Sequence, residues 1–231
     1  MAHYKDTPMI RLSLIISLTF LTFAFGFGQN QNAKCECPKT QFAGEKADSI
    51  FHLSNNKTIV LCGYKNPDSK PTTFSEFILA VCGQDTIIDF WGAVLTCRLR
   101  VSNDTLLVDQ LQNLPTGKDF KYHETVWTTE KIYFNGQKTL RKLIVNRQIN
   151  KYTDAQIKLV LQAYLLAKPG IDESKMGIAS KLFIATVSGD KTARQYFEEF
   201  KTRFTLDGAF AEEYSDLTAM LKQWDKKNNV P

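Results

Sequence analysis

From Ser49 to Val145 apolar and polar residues alternate in short runs broken by turn residues, the period of strands. Ser49–Leu53 and Thr58–Leu61 flank Asn55-Asn56, whose side chains tolerate positive φ, so a hairpin is expected. Phe74–Val81 and Thr86–Phe90 flank Gly83-Gln84-Asp85, and Leu95–Val101 and Thr105–Leu111 flank Asn103-Asp104. Thr125–Phe134 and Lys138–Val145 flank Asn135-Gly136, the strongest short hairpin signal. Pro67–Pro71 and the stretch Gln112–Tyr122, with Pro115 and Gly117, read as loops. About eight strands in consecutive hairpins predict an antiparallel β-sandwich or barrel.

At Thr153 the period becomes helical. Thr153 and Gln156 fit a capping box, and Ile157, Val160, Leu161, Tyr164 and Leu165 fall on one helical face. Pro169-Gly170 ends this helix. A second runs from about Glu173 to Val187 and is apolar on several sides (Met176, Ile178, Leu182, Phe183, Ile184), so a central place is expected. Asp190 caps a third, with Ala193, Tyr196, Phe197, Phe200 and Phe204 inward and Glu199 spaced to pair with Arg203. Asp207 opens a fourth, with Phe210, Tyr214, Leu217, Leu221 and Trp224 inward and Lys226 and Lys227 at its C-terminal dipole. The fold class is α+β: an N-terminal antiparallel β domain, residues 49–147, followed by a C-terminal four-helix layer, residues 151–228.

Ahead of both lies an uncharged apolar run, Leu12–Phe25, behind Arg11 and before Gly26 and Gly28. It is shorter than the roughly 20 residues of a membrane helix and reads as the h-region of a signal peptide over residues 1–28. Met9 would begin a shorter leader without the acidic Asp6. Residues 29–48 then form a cysteine-containing arm, and no membrane span is expected after cleavage.

Composition adds limits. Hydrophobic residues at 43% and charged residues at 23% exclude a wholly disordered or fibrous chain. The formal charge of +5 falls to +4 without the leader and is spread along the chain, with no run of five Lys or Arg. No nucleic-acid partner is therefore expected.

All five cysteines, Cys35, Cys37, Cys62, Cys82 and Cys97, precede the helical half. In an exported chain they predict disulfides with one thiol left over. Cys35 and Cys37 are too close to bridge each other without strain, so each seeks a distant partner. Cys82 and Cys97 lie on neighbouring predicted strands and are expected to face each other, leaving Cys62 for Cys35 or Cys37.

Catalytic motifs are absent from the sequence: no GxSxG elbow, phosphate loop, GxGxxG, HExxH or EF-hand loop is present. His52 reads as a sheet-surface residue and His123 as a loop residue. Glu198-Glu199 and Glu212-Glu213 are adjacent on helices, so each pair diverges by about 100°. Asp89 and Glu130 are a carboxylate pair that only the fold could assemble. Trp91 and Trp127 are candidate surface aromatics for stacking a sugar or anchoring a partner, with core packing the ordinary alternative. Asp48-Ser49-Ile50, Asp85-Thr86-Ile87 and Asp104-Thr105-Leu106 resemble an O-glycosylation acceptor motif, but a turn followed by a strand explains them too and is the preferred reading.

These readings predict an exported, periplasmic or secreted protein that binds another protein, as an envelope interaction or immunity-type module would. Neither a cofactor nor a metal is called for. The alternatives are a hydrolase of envelope glycans or peptides, and a lipocalin-like binder of small ligands.

Overall fold

The computed structural model describes residues 35–39, 46–169 and 174–226. The expected signal peptide lies outside these residues, as do Gly170 and Lys227. Eight strands appear: β1 (Ser49–His52), β2 (Thr58–Asn66), β3 (Thr73–Val81), β4 (Ile87–Trp91), β5 (Thr96–Ser102), β6 (Thr105–Leu114), β7 (His123–Asn135) and β8 (Lys138–Val145). They form one antiparallel sheet in the order β1-β2-β3-β5-β6-β7-β8, with β4 on β3. The expected turns hold, because their residues supply positive φ: Asn56 (62°), Gly83 (71°), Asn103 (54°) and Gly136 (60°).

The sheet is not closed into a barrel. It forks at β3, which pairs with β4 over Phe77–Ala80 and with β5 at Phe74. The two leaves, β1–β4 and β5–β8, share a core of Ile59, Leu61, Phe77, Leu79 and Trp91 with Cys97, Leu106, Val108 and Ile132. Phe77 and Trp91 stack at 5.0 Å. Where β2 meets the β3 bulge, Gly63 is required: a Cβ there would lie 2.3 Å from the Glu76 carbonyl oxygen. Lys57 Nζ donates to Gln137 Oε1 at 2.7 Å, which ties the β1–β2 turn to the β7–β8 turn. The opposite face of β2–β3 carries Val60, Cys62, Ile78 and Ala80, and the N-terminal arm covers it.

Among the described residues five helices follow: α1 (Asp154–Leu166), α2 (Ser174–Val187), α3 (Lys191–Glu198), α4 (Phe200–Arg203) and α5 (Gly208–Asp225). Thr153 and Gln156 make the expected capping box, and Asp190 caps α3 through Ala193 N–H at 2.7 Å. The predicted third helix breaks at Glu199, whose ψ is 0°. The break separates Glu199 from Arg203. Arg203 instead donates to the Leu165 and Ala167 carbonyls at the end of α1, at 2.9 and 3.0 Å. A cation there satisfies carbonyls that the helix leaves open.

α2 is central, with Ala179, Leu182, Phe183, Ile184 and Ala185 fully buried. Its core continues into the sheet through Leu114, Trp127 and Val145, and takes in Ile149 and Tyr152 of the connection that follows. The boundary between residues 147 and 151 is thus a change of secondary structure across one shared core. No helix among the described residues is long and apolar enough to cross a membrane.

Candidate functional site

The cysteines pair as Cys35–Cys82 and Cys37–Cys62. Cys97 is free and buried, so the expected Cys82–Cys97 contact does not form. The reason is strand geometry. Cys97 sits opposite Phe74 on the core face, at the start of β3. Cys82 lies past the end of β3, about 26 Å further along the strand, and belongs to the outer cluster with Cys62. Burial, with Glu130 and Asp109 nearby, pushes the Cys97 thiol up to about 12. Thiolate is the reactive form, so Cys97 is expected to be inert in the fold. A thiol-reactive dye should label no cysteine in the native, unreduced protein and one after denaturation. Labelling of the native protein would refute this arrangement.

Trp91 and Trp127 are not surface residues: they are 3% and 2% exposed. Core packing, the ordinary alternative, describes both. The fold does bring Asp89 and Glu130 together. Arg141 on β8 pairs with Asp89 on β4, and its Nε donates to Glu130 Oε1 at 2.6 Å. The Arg141 guanidinium lies 5.6 Å from the Trp91 ring. This bridge spans β4 and β8, strands that share no ladder. The hydrogen bond to Glu130 outweighs burial and raises the Arg141 pKa, with Asp89 adding to it. Hydrolysis of glycosides needs one carboxyl to give a proton while the other attacks or activates water. Here both carboxylates are engaged by a single guanidinium.

His52 is exposed on β1, with Nδ1 3.2 Å from Thr58 Oγ1. His123 lines an open cleft of about 470 Å³ with Thr116, Gly117, Glu124, Thr125 and Asn146. Its ring lies so close to Gly117 that a Cβ there would meet Nε2 at 2.3 Å. Among the described residues no side chain hydrogen-bonds the His123 ring, so nothing orients it as a base is oriented in a triad. A second groove of about 590 Å³ runs between α3 and α5. Within it Arg194 grips Asp225 through both terminal nitrogens, at 2.9 and 2.6 Å, and Glu198 through Nε at 2.8 Å.

The outer face of α1 differs from these. Ile157, Val160 and Tyr164 are buried as expected, but Leu165 is 56% exposed. At 100° per residue, Ala155, Leu159, Gln162 and Leu166 lie opposite the buried stripe, and none is charged. Leu159 is 56% and Leu166 73% exposed, about 10 Å apart along the axis. Sequence reasoning followed one apolar stripe and passed over the second. The signal was present, since Leu159 and Leu166 are seven residues apart on a face with no charge.

Among the described residues no cluster of three or more His, Cys, Asp or Glu could hold a metal ion. Compared with known protein families, curated proteins and solved structures, the chain matches none.

Proposed function

We propose that the protein is an exported, non-catalytic binding module that holds another protein, as an envelope interaction or immunity-type protein does. One observation carries the reading. α1 is apolar on both sides, and its outer leucines, Leu159 and Leu166, meet solvent. Uncharged leucines at helical spacing are what a groove or a second helix on a partner receives. Export is supported by the leader-like run Leu12–Phe25 and by the two disulfide-bonded pairs, which fit an oxidising compartment. Against the hydrolase alternative stands the commitment of Asp89 and Glu130 to Arg141. Against the lipocalin-like alternative stands the unclosed sheet.

The test is cross-linked capture of the tagged protein from its own cell envelope, with Leu159→Asp/Leu166→Asp as the comparison. Both positions are exposed, so the variant should fold, with a stability change of no more than about 0.5 kcal/mol per site. A single stoichiometric partner, lost from the variant, is the expected result. Recovery of the same partner by the variant, or no partner from either protein, would overturn the proposal.

A further inference from the structure

The outer face of β5–β8 gathers most of the excess positive charge of the chain. Arg98 and Arg100 on β5 both donate to Asp109 on β6, at 3.3 and 3.0 Å, and Thr129 on β7 donates to the same carboxylate at 2.6 Å. These contacts place the four residues on one face. Strand alternation then adds Lys131, two residues on from Thr129, and Lys142, its Cα partner on β8. Lys138 follows on the same side of β8. This face carries five cations and one carboxylate, in a chain whose formal charge is +5. Arg100, Lys131, Lys138 and Lys142 are exposed. Among the described residues, neither Lys131 nor Lys142 has an ion-pair partner.

Two features mark the arrangement as more than a solvated surface. Lys131 and Lys142 stand directly opposite each other, with Cβ atoms about 5 Å apart, a placement that like charges disfavour. Arg100, Leu107, Lys131 and Lys142 also form one cross-strand row. With strands about 4.8 Å apart, a chain laid across the sheet meets cations on β5, β7 and β8 in succession. Asp109 cannot neutralise the lysines, because Arg98 and Arg100 already occupy it.

We propose that this face binds an anionic polysaccharide, one bearing carboxylate or sulfate groups along an extended chain. Charge complementarity sets the sign of the partner, and the composition of the face sets its class. The apolar residues that alternation places on this face, Leu107, Tyr133, Leu140 and Ile144, are buried or half-buried, and none of the large exposed apolar residues lies on it. A membrane surface would need such residues as anchors. A protein interface would bring aromatic and apolar residues to its centre and would be poor in lysine. Single-stranded nucleic acid would need stacking platforms, and Tyr133, half-buried, is the aromatic ring here. A hydrated polyanion requires none of these. The choice of a glycan rests on the export reading, while the α1 surface is separate and is tested separately.

The experiment titrates polygalacturonate into the purified full chain at about 0.15 M salt, with dextran as the neutral control. Binding to polygalacturonate alone is expected, weakening as salt rises because counterions are released on binding. Lys131→Gln/Lys142→Gln should weaken it about tenfold, whereas Lys158→Gln/Lys168→Gln, which removes as many charges from the α1 region, should change it less than about twofold. Removing two facing like charges should not impair folding, and an unchanged melting curve checks this. Equal binding by the Lys131/Lys142 variant, no binding to polygalacturonate, or equal binding to dextran would overturn the proposal. Tighter binding of polyglutamate, single-stranded DNA or anionic vesicles than of polygalacturonate would overturn it in favour of those partners.

Discussion

Trp127→Ala is expected to lower the unfolding free energy by about 3–5 kcal/mol, the range for deleting a buried aromatic. Trp127 is 2% exposed. Its ring stacks on Trp224 of α5 at 5.6 Å and lies 5.4 Å from Phe183 of α2. Its Nε1 donates to Gln223 at 3.0 Å. Alanine would leave a cavity where β7, α2 and α5 meet, and rigid elements on three sides limit its collapse. The lost hydrogen bond should add little, since Gln223 is half-exposed and can turn to water.

For a unit of this size each kcal/mol moves the melting temperature by about 2–4 °C, so a fall of roughly 10 °C is expected. Because the sheet and the helices share the core around Trp127, wild type should melt in a single transition by both far-UV and near-UV circular dichroism. A loss under about 1 kcal/mol would contradict the packing described. Two separated transitions in wild type would show that the halves have independent cores.

Much of the architecture was legible in the sequence because each turn advertised itself. Asn56, Asn103 and Gly136 all adopt positive φ, and these residues favour it. The change of period at Thr153 marked the helical half, and the capping box marked its first residue. The fork at β3 was not legible. Periodicity gives the face of a residue but not its neighbour across the sheet, so β4 read as the next strand in line when it is a side branch. The same blindness misplaced Cys82 opposite Cys97. Cys97 lies opposite the start of β3 and Cys82 past its end, a register that periodicity does not give.

The charge pattern was hidden for a related reason. Arg98, Arg100, Lys131, Lys138 and Lys142 are spread over 45 positions of sequence. Only the register that sets Lys131 against Lys142, and Thr129 against Asp109, collects them on one face. A search for runs of basic residues detects helices and tails, not sheets. The break at Glu199 was likewise beyond pattern reading. Phe197, Phe200 and Phe204 keep helical spacing across it, and Arg203 is drawn to carbonyls more than 30 residues earlier in the chain.

Reduction of the two disulfides is the second large expected effect. Cys37–Cys62 closes a loop spanning 25 residues of sequence and Cys35–Cys82 one spanning 47. The chain-entropy estimate is about 3–4 kcal/mol for each alone. The first loop lies inside the second, so together they should contribute less than the sum. Among the described residues Glu36 also forms an isolated antiparallel β-bridge with Lys46, and Asp48 accepts from Gly63 N–H at 2.8 Å and donates its own N–H to the Leu61 carbonyl. The two bonds pin Cys35 and Cys37 over Val60, Ile78 and Ala80, and once the sulfurs part that apolar face is expected to open to water. Melting should fall by about 10 °C or more in dithiothreitol, and alkylation of the unfolded reduced chain should count five thiols against one before reduction. The Cys37→Ser/Cys62→Ser variant should lose less than full reduction does, since the larger loop stays closed. A fold that depends on these bonds is suited to an oxidising compartment, where they persist. A reduced chain as stable as the oxidised one would remove the structural support for export, and with it the reason to seek the partner of α1 in the cell envelope.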